Sequence, residues 1–292
     1  MVRLRNSQTR RADRRYLGVI MAERLHLTKH HGLRNDFLVA LGADNPGLVL
    51  TSELAVRLCD RTAGIGADGL IGTSAPSGEF ADQAECEMVL FNADGSRAEI
   101  SGNGIRCLGQ ALLRNAGRRE GSVSIVAGGG VRHLTATATE LAEVDQLSVA
   151  MARVLPGPPL SPEAQAFPAV RSGTGDVGNP HLVLQVLSLD GIDPAVMGRD
   201  LERGFPGGIN VHFMVVDGPD RIRLSHWERG AGVTQACGSG ATVAASLAVQ
   251  WGVVTSPVAV VMPGGEATVV CGEEPVLIGP AVLIARIEVG CD

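Results

Sequence analysis

The chain switches between strand-like and helix-like hydrophobic periods, and it makes the same series of switches twice. In the first pass Cys86 to Phe91 reads as a strand and Asn92-Ala-Asp-Gly-Ser96 as a turn. Ile100-Ser-Gly-Asn-Gly104 then opens a stretch with Ile105, Leu108, Leu112 and Leu113 at helical spacing, closing at Gly117. A strand over Ser122 to Ala127, a Gly128-Gly-Gly130 turn and a strand over Val131 to Ala138 complete the unit.

In the second pass Arg221 to His226 alternates as a strand, and Glu228-Arg-Gly-Ala-Gly232 makes the turn. Ala236-Cys-Gly-Ser-Gly240 opens an Ala/Val/Leu-rich helix that ends near Gly252. Strands over Pro257 to Met262 and Ala267 to Cys271 flank a Gly264-Gly265 turn. Asn92 precedes Ser101 by nine residues, as Glu228 precedes Cys237, and Gly129 and Gly265 each follow by 28. A duplicated unit is the simplest reading.

The predicted fold class is α+β, with two pseudo-symmetric lobes, each an antiparallel β-rich, barrel-like sheet around a central helix. The proline cluster Pro156, Pro158, Pro159 and Pro162 places the boundary near 145–160. The expected division is a basic, disordered tail over 1–20, an N-terminal lobe over 21–150 and a C-terminal lobe over 151–279. Residues 280–292 return to the first lobe in this scheme, through the strand-like run Ala281 to Val289. The tail carries six arginines without an apolar segment, so it reads as a tail or as sequence upstream of a start at Met21.

Composition narrows the class. With 45% hydrophobic and 19% charged residues the chain is a folded globular protein. A net charge of -6 with only 3% aromatics argues against nucleic acid or an anionic membrane as partner. No apolar run is long enough to span a bilayer. The six cysteines form no C-x-x-C pair, which fits neither a zinc site nor a disulfide framework, and a reducing cytoplasm is expected.

Chemistry is expected at the two helix heads. A helix N-terminus presents unpaired N–H groups and a positive dipole end, and glycines let a carboxylate approach closely. Cys237-Gly-Ser-Gly240 therefore reads as a carboxylate cradle beside a thiol whose pKa the helix lowers toward neutrality. The plain alternative is a glycine-rich helix start with Cys237 as a small filler. Two heads gripping one small anion would allow a base and an acid on opposite faces of an α-carbon. Gly173-Thr-Gly-Asp-Val-Gly178 matches a dinucleotide fingerprint in letters only, because a strand-like run and no helix follows. His30-His31 reads as a polar pair near a strand end, not as a metal site.

Read together, these segments resemble diaminopimelate epimerases, amino-acid epimerases that use no pyridoxal. The resemblance rests on His31-Gly-Leu-Arg-Asn-Asp-Phe37, Gly64-Ile-Gly-Ala-Asp-Gly69, Asn92-Ala-Asp-Gly-Ser96, Gly102-Asn-Gly-Ile-Arg106 and Gly178-Asn-Pro-His181. It continues through Ile209-Asn210, Glu228-Arg-Gly-Ala-Gly232, Ala236-Cys-Gly-Ser-Gly240 and Pro263-Gly-Gly265. It implies conversion of LL- to meso-diaminopimelate by two cysteines, one per lobe, in lysine and peptidoglycan precursor synthesis. It further implies no cofactor, no metal and a cytoplasmic homodimer acting on a small amino-acid substrate. Carried onto this chain, the catalytic positions are Cys237 and Ser101. The substrate contacts are Asn35, Asn92, Gly102, Asn103, Asn179, Asn210, Glu228, Arg229, Gly238 and Ser239, with His181 and Glu228 as orienting or tuning residues. Amides, an arginine fork and a carboxylate suit a substrate with two carboxylates and two ammonium groups. Turn formation and capping are the plain roles of the asparagines, above all Asn92 and Asn179.

Two departures stand out. The family pattern has cysteine where this chain has Ser101, and glutamate where it has Val233. A serine alkoxide is not populated near neutral pH without a dedicated base. Cys107 lies nearly two helical turns on and is expected to point away, so it does not substitute. Three readings of Ser101 remain open: a substitution that freezes a natural cysteine, a working Ser/Cys pair acting on this or another amino acid, or a binding paralogue that has lost inversion. The Ser/Cys pair includes elimination of a β-substituent, which needs one strong base. Val233 speaks against a single substitution, because a second motif position has drifted.

Overall fold

The structure is a computed structural model that describes residues 24–98 and 101–290. The expectations for residues 1–20 lie outside them. The first lobe runs β1 (Arg24–Gly32), β2 (Asn35–Ala40), α1 (Ser52–Cys59), β3 (Gly69–Ser74), β4 (Cys86–Asn92) and β5 (Arg97–Ala98). It continues with α2 (Gly102–Asn115), β6 (Gly121–Ala127), β7 (Gly130–Ala138) and β8 (Val144–Ala150). The second runs β9 (Leu155–Pro156), α3 (Pro162–Ala166), β10 (Arg171–Asp176), β11 (Pro180–Gln185), α4 (Arg199–Glu202) and β12 (Asn210–Gly218). It ends with β13 (Arg221–Trp227), α5 (Gly238–Gln250), β14 (Val258–Met262), β15 (Gly265–Val270) and β16 (Val276–Gly290).

Strands β1-β2-β3-β4-β6-β7-β8-β16 close into an eight-stranded barrel through the β1–β16 pairing. From β16 the sheet continues through β15-β14-β13-β12-β11-β10-β9 around the second helix. The strand β16 joins the two: Val276 to Ile278 pair with β8 on one side and β15 on the other, and Val282 to Gly290 pair with β1. The α+β, barrel-like architecture is as expected, but the sheet is not antiparallel throughout. The pairs β2–β3, β4–β6, β11–β12 and β13–β14 are parallel. Each pair is joined by a chain segment that contains a helix: α1, α2, α4 or α5. A helical crossover returns the chain in the same direction, so the central helices themselves create the parallel pairs.

The helix α2 is buried on almost every residue, including the backbone of Gly102 and Gly104. Gly109 lets it approach the opposing strands, since a Cβ there would lie 2.9 Å from Leu134 and 3.0 Å from Leu147. The helix α5 is small and apolar and buries ten of its residues. Both helices belong to one hydrophobic cluster that includes Leu277 of β16. Burial of this kind, at about 25 cal/mol per Å² of apolar area, fixes both helix heads relative to the sheets.

Candidate active site

The two helix heads are built alike. Ser101 and Cys237 are the N-caps of α2 and α5, with backbone angles of -137°, 117° and -123°, 104°. The Ser101 hydroxyl accepts from Gly104 N at 3.0 Å, whereas the Cys237 sulfur makes no capping bond to its helix and instead lies 3.7 Å from the Ser239 hydroxyl. Ahead of each cap is the same turn: Asn92 N donates to Ser96 O at 2.8 Å, and Glu228 N to Gly232 O at 2.7 Å. Gly95 and Gly232, at φ 83° and 81°, supply the left-handed residues that close those turns.

The heads meet glycine to glycine. A Cβ on Gly102 would lie 3.1 Å from Gly238 Cα and 3.1 Å from the Leu277 side chain. Above this seam lies a cleft of about 730 Å³ that both Ser101 and Cys237 line. Every residue carried over from the family pattern lines it except His181, which is fully buried behind Asn179.

Hydrogen bonds fix the amides. Asn103 donates to Ala236 O at 2.9 Å across the lobes and to Asn35 Oδ1 at 3.2 Å, and it accepts from Arg106 at 2.7 Å. Asn35 in turn donates to Asp68 at 2.7 Å. Asn210 spans Pro180 O and Arg229 N, at 2.9 and 3.1 Å. Asn92 bonds Ser96 at 3.0 Å within its own turn, so its plain role is present together with its place in the cleft.

The thiol departs from expectation. The pKa of Cys237 is raised well above the ordinary thiol value, first by burial and then by the charge of Glu228. The nearby Gly240 N–H group and the Ser239 hydroxyl, 3.7 Å from the sulfur, act in the lowering direction but do not prevail. Helix-head placement predicts the opposite sign. It fails here because the sulfur is almost completely shielded from solvent, with 3% of its residue exposed. Burial likewise raises the Glu228 carboxyl, which Thr234 and Cys237 partly offset by hydrogen bonding. Cys237 is therefore a protonated thiol that shares the cleft with the Glu228 carboxyl group.

Three histidines sit behind this pair. His181 Nε2 lies 3.0 Å from Asn179 Oδ1, and its Nδ1 lies 2.8 Å from His212 Nε2. An amide oxygen only accepts, so His181 carries its proton on Nε2 and His212 donates from Nε2. The Thr234 hydroxyl gives its proton to Glu228, so it accepts from His226 Nε2 at 2.9 Å. That assignment leaves the Nδ1 atoms of His212 and His226 as bare acceptors, and both are buried without a partner among the described residues. Burial lowers His181 to about 3 and His226 to about 4, so all three rings are neutral at pH 7. Ligand atoms of His181, His212 and Cys237 lie within 4.8 Å of one another. The two rings are hydrogen-bonded at 2.8 Å, closer than the roughly 3.3 Å between two nitrogens on one tetrahedral zinc.

Sequence reasoning passed over Thr234, His212, His226, Arg61 and Arg106. Thr234, three residues before Cys237, has no signal of its own. His212 and His226 fall at inward positions of β12 and β13, where a polar residue in an apolar alternation is the available signal. Gly240 gives His212 its space, since a Cβ there would fall 2.0 Å from the ring. Arg61 joins Asp36 and Asp68 at 2.6 and 2.7 Å at the cleft wall. Arg106 is fully buried with its charge held by Gly102 O and Asn103. Cys107 points into the core, as expected.

A sequence model described as diaminopimelate epimerase matches residues 27–151 and 174–284. The chain belongs to the diaminopimelate epimerase family. A diaminopimelate epimerase of Synechococcus elongatus is 34% identical over 284 residues, 89% of this chain and 96% of that one. One from Rhizorhabdus wittichii is 36% identical over 276 residues, covering 92% and 96%. Among solved structures, a hydroxyproline epimerase from Agrobacterium vitis shares the fold at a TM-score of 0.65 with 15% identity, covering 91% and 92%. A phenazine biosynthesis protein of the PhzF family from Bacillus anthracis shares it at 0.65 with 14% identity, covering 92% and 99%. Membership of this family makes the chain an isomerase of the epimerase type. No helix among the described residues is long and apolar enough to cross a membrane.

Proposed function

We propose that this chain interconverts LL- and meso-diaminopimelate by moving the α-proton, with Cys237 as the acid/base of one face and Ser101 at the opposing position. The facing pair of N-caps in one cleft carries this reading. The N–H groups at Gly102, Asn103, Gly238 and Ser239 would receive the α-carboxylate, where two positive dipole ends oppose the charge that builds as the α-proton leaves. The buried thiol is inert until its proton moves to Glu228, after which the thiolate takes the α-proton. Arg229, Asn92 and Asn210 would hold the distal carboxylate and ammonium. Asn179, with Asn35, would orient the substrate, and His181 would fix Asn179. A cytoplasmic homodimer is part of the same proposal.

A second reading draws on Ser101, whose hydroxyl is engaged in capping α2. A weak acid on that face suits epimerisation or β-elimination on another amino acid, or binding without turnover. Incubation in heavy water with LL- and meso-diaminopimelate separates these outcomes. Inversion with α-deuterium incorporation supports the first reading. Exchange with retention leaves Cys237 as the sole working base, and binding without exchange sinks catalysis on this substrate.

A further inference from the structure

We propose that His226 and Thr234 are positioning residues for the reaction, forming a buried chain that aims the Glu228 carboxylate at the Cys237 proton. The inference rests on the reading of Cys237 as acid/base. His226 Nε2 donates to Thr234, 2.9 Å away, and Thr234 donates its single proton to Glu228 Oε1. A hydroxyl that accepts from a ring N–H has only one direction left for its own proton. One carboxylate oxygen is thereby tied, and the carboxylate is held in the cleft that Thr234 and Cys237 also line.

The direction of the chain matters. The Thr234 proton goes to Glu228, so the neutral His226 ring enters the chain as an Nε2 donor, with Nδ1 unpaired among the described residues. A donor chain ending on Glu228 stabilises the carboxylate form against the burial that favours the acid. The carboxylate is the form that accepts the thiol proton: S–H plus COO⁻ becomes S⁻ plus COOH, and the thiolate then takes the α-proton of the substrate. The charged and titratable groups facing Glu228 are Cys237 at the head of α5, Asp68 across the cleft, and the adjoining Arg229. Asp68 raises the Glu228 carboxyl, so Thr234 is the hydroxyl that opposes both burial and that charge.

The test is α-proton exchange in heavy water, measured against substrate concentration and pH for Thr234→Val, Thr234→Ser, His226→Leu and His226→Gln. Thr234→Val keeps the shape and removes the hydroxyl. It should lower the maximal exchange rate about ten- to a hundredfold, within the usual range for general acid/base groups. Half-saturation should stay within about threefold, because the substrate-binding groups are untouched. The acidic limb should move to higher pH, since an unsupported Glu228 protonates sooner, and Thr234→Ser should restore both rate and limb. If Thr234→Val fails to fold by circular dichroism, the same contrast is read between His226→Leu and His226→Gln, whose amide still donates. A parental rate and limb in the hydroxyl-free variant, or no rescue by serine, overturns the proposal. Exchange that survives Cys237→Ala, or its absence from the parent enzyme, overturns the functional reading and this chain with it. Loss in Cys237→Ala beside an unaffected Thr234→Val overturns the chain alone.

Discussion

Gly102 and Gly238 touch at the heads of the two central helices, where a Cβ on either would lie 3.1 Å from the other's Cα. Leu277 of the shared strand packs against both, 3.1 and 2.9 Å from those same Cβ positions. One residue of β16 therefore sets the separation of the two N-caps. Gly238→Ala must push against backbone on one side and Leu277 on the other. It should cost about 1–3 kcal/mol of unfolding free energy, the usual range for overpacking. Urea unfolding checks this, and an alanine variant as stable as the parent would show that the heads have slack.

The charge of Glu228 opposes ionisation of Cys237, whereas the Cys237 thiol favours the carboxylate form of Glu228. The negative charge of Glu228 is the second cause of the raised thiol, after burial. Glu228→Gln removes that charge, so the thiolate becomes less costly and its titration moves to lower pH. Burial remains, and the shift is partial. Modification of Cys237 by methyl methanethiosulfonate, mapped by mass spectrometry across pH 7 to 11, should begin at lower pH in the glutamine variant. Unchanged onset would mean that the carboxyl is already neutral in the parent.

The repeat, both helix heads and both turns before them were legible in the sequence, because glycine punctuation and a change of hydrophobic period are local signals. Ser101 and Cys237 were legible from their equal offsets, their glycine-rich helix heads and the family resemblance. Strand direction was not legible: whether a strand pairs parallel depends on where a crossover returns, and nothing within β4 or β13 encodes that. The sign of the Cys237 shift was missed for a related reason. The helix dipole is a property of the local segment, whereas burial of the sulfur is produced by both lobes together. His226 and Thr234 lie in one stretch of sequence, but the bond between them depends on the turn from Glu228 to Gly232 folding back.

Ser101→Cys should restore a thiol to the second face. Its backbone angles lie within 14° of those of Cys237, so the new sulfur would take a matching position over Gly104. A hydroxyl cannot supply the conjugate base that inversion requires, and a thiol can. The rate of inversion in heavy water should rise on the order of a hundredfold, and the cap should weaken by about 1 kcal/mol at most. Chiral separation of the deuterated product reads the first quantity. No gain would mean that the pocket around Ser101 has diverged beyond the one atom.

The buried histidines make acid lability the last expectation. His30, His181 and His226 are lowered from 6.5 to about 4, 3 and 4, and His212 lies well below 6.5. A depressed folded pKa means that the unfolded chain binds the proton first. The stability these rings allow is complete above about 6.5 and is lost as pH falls toward the folded values. Between pH 7 and 5 each neutral ring costs about 2 kcal/mol relative to an unfolded one. The carboxylate Asp36, held low by Arg61 and Lys29, responds only at lower pH and does not mask this window. Unfolding free energy should therefore fall by at least about 4 kcal/mol between pH 7 and 5, with four rings contributing and some relief through local opening. Urea titrations at half-unit steps measure it, and a flat profile over that window would show that the rings reach solvent. The His181–His212–His226 cluster sits directly behind Cys237, so activity should fail irreversibly over the same window if protonation opens that cluster.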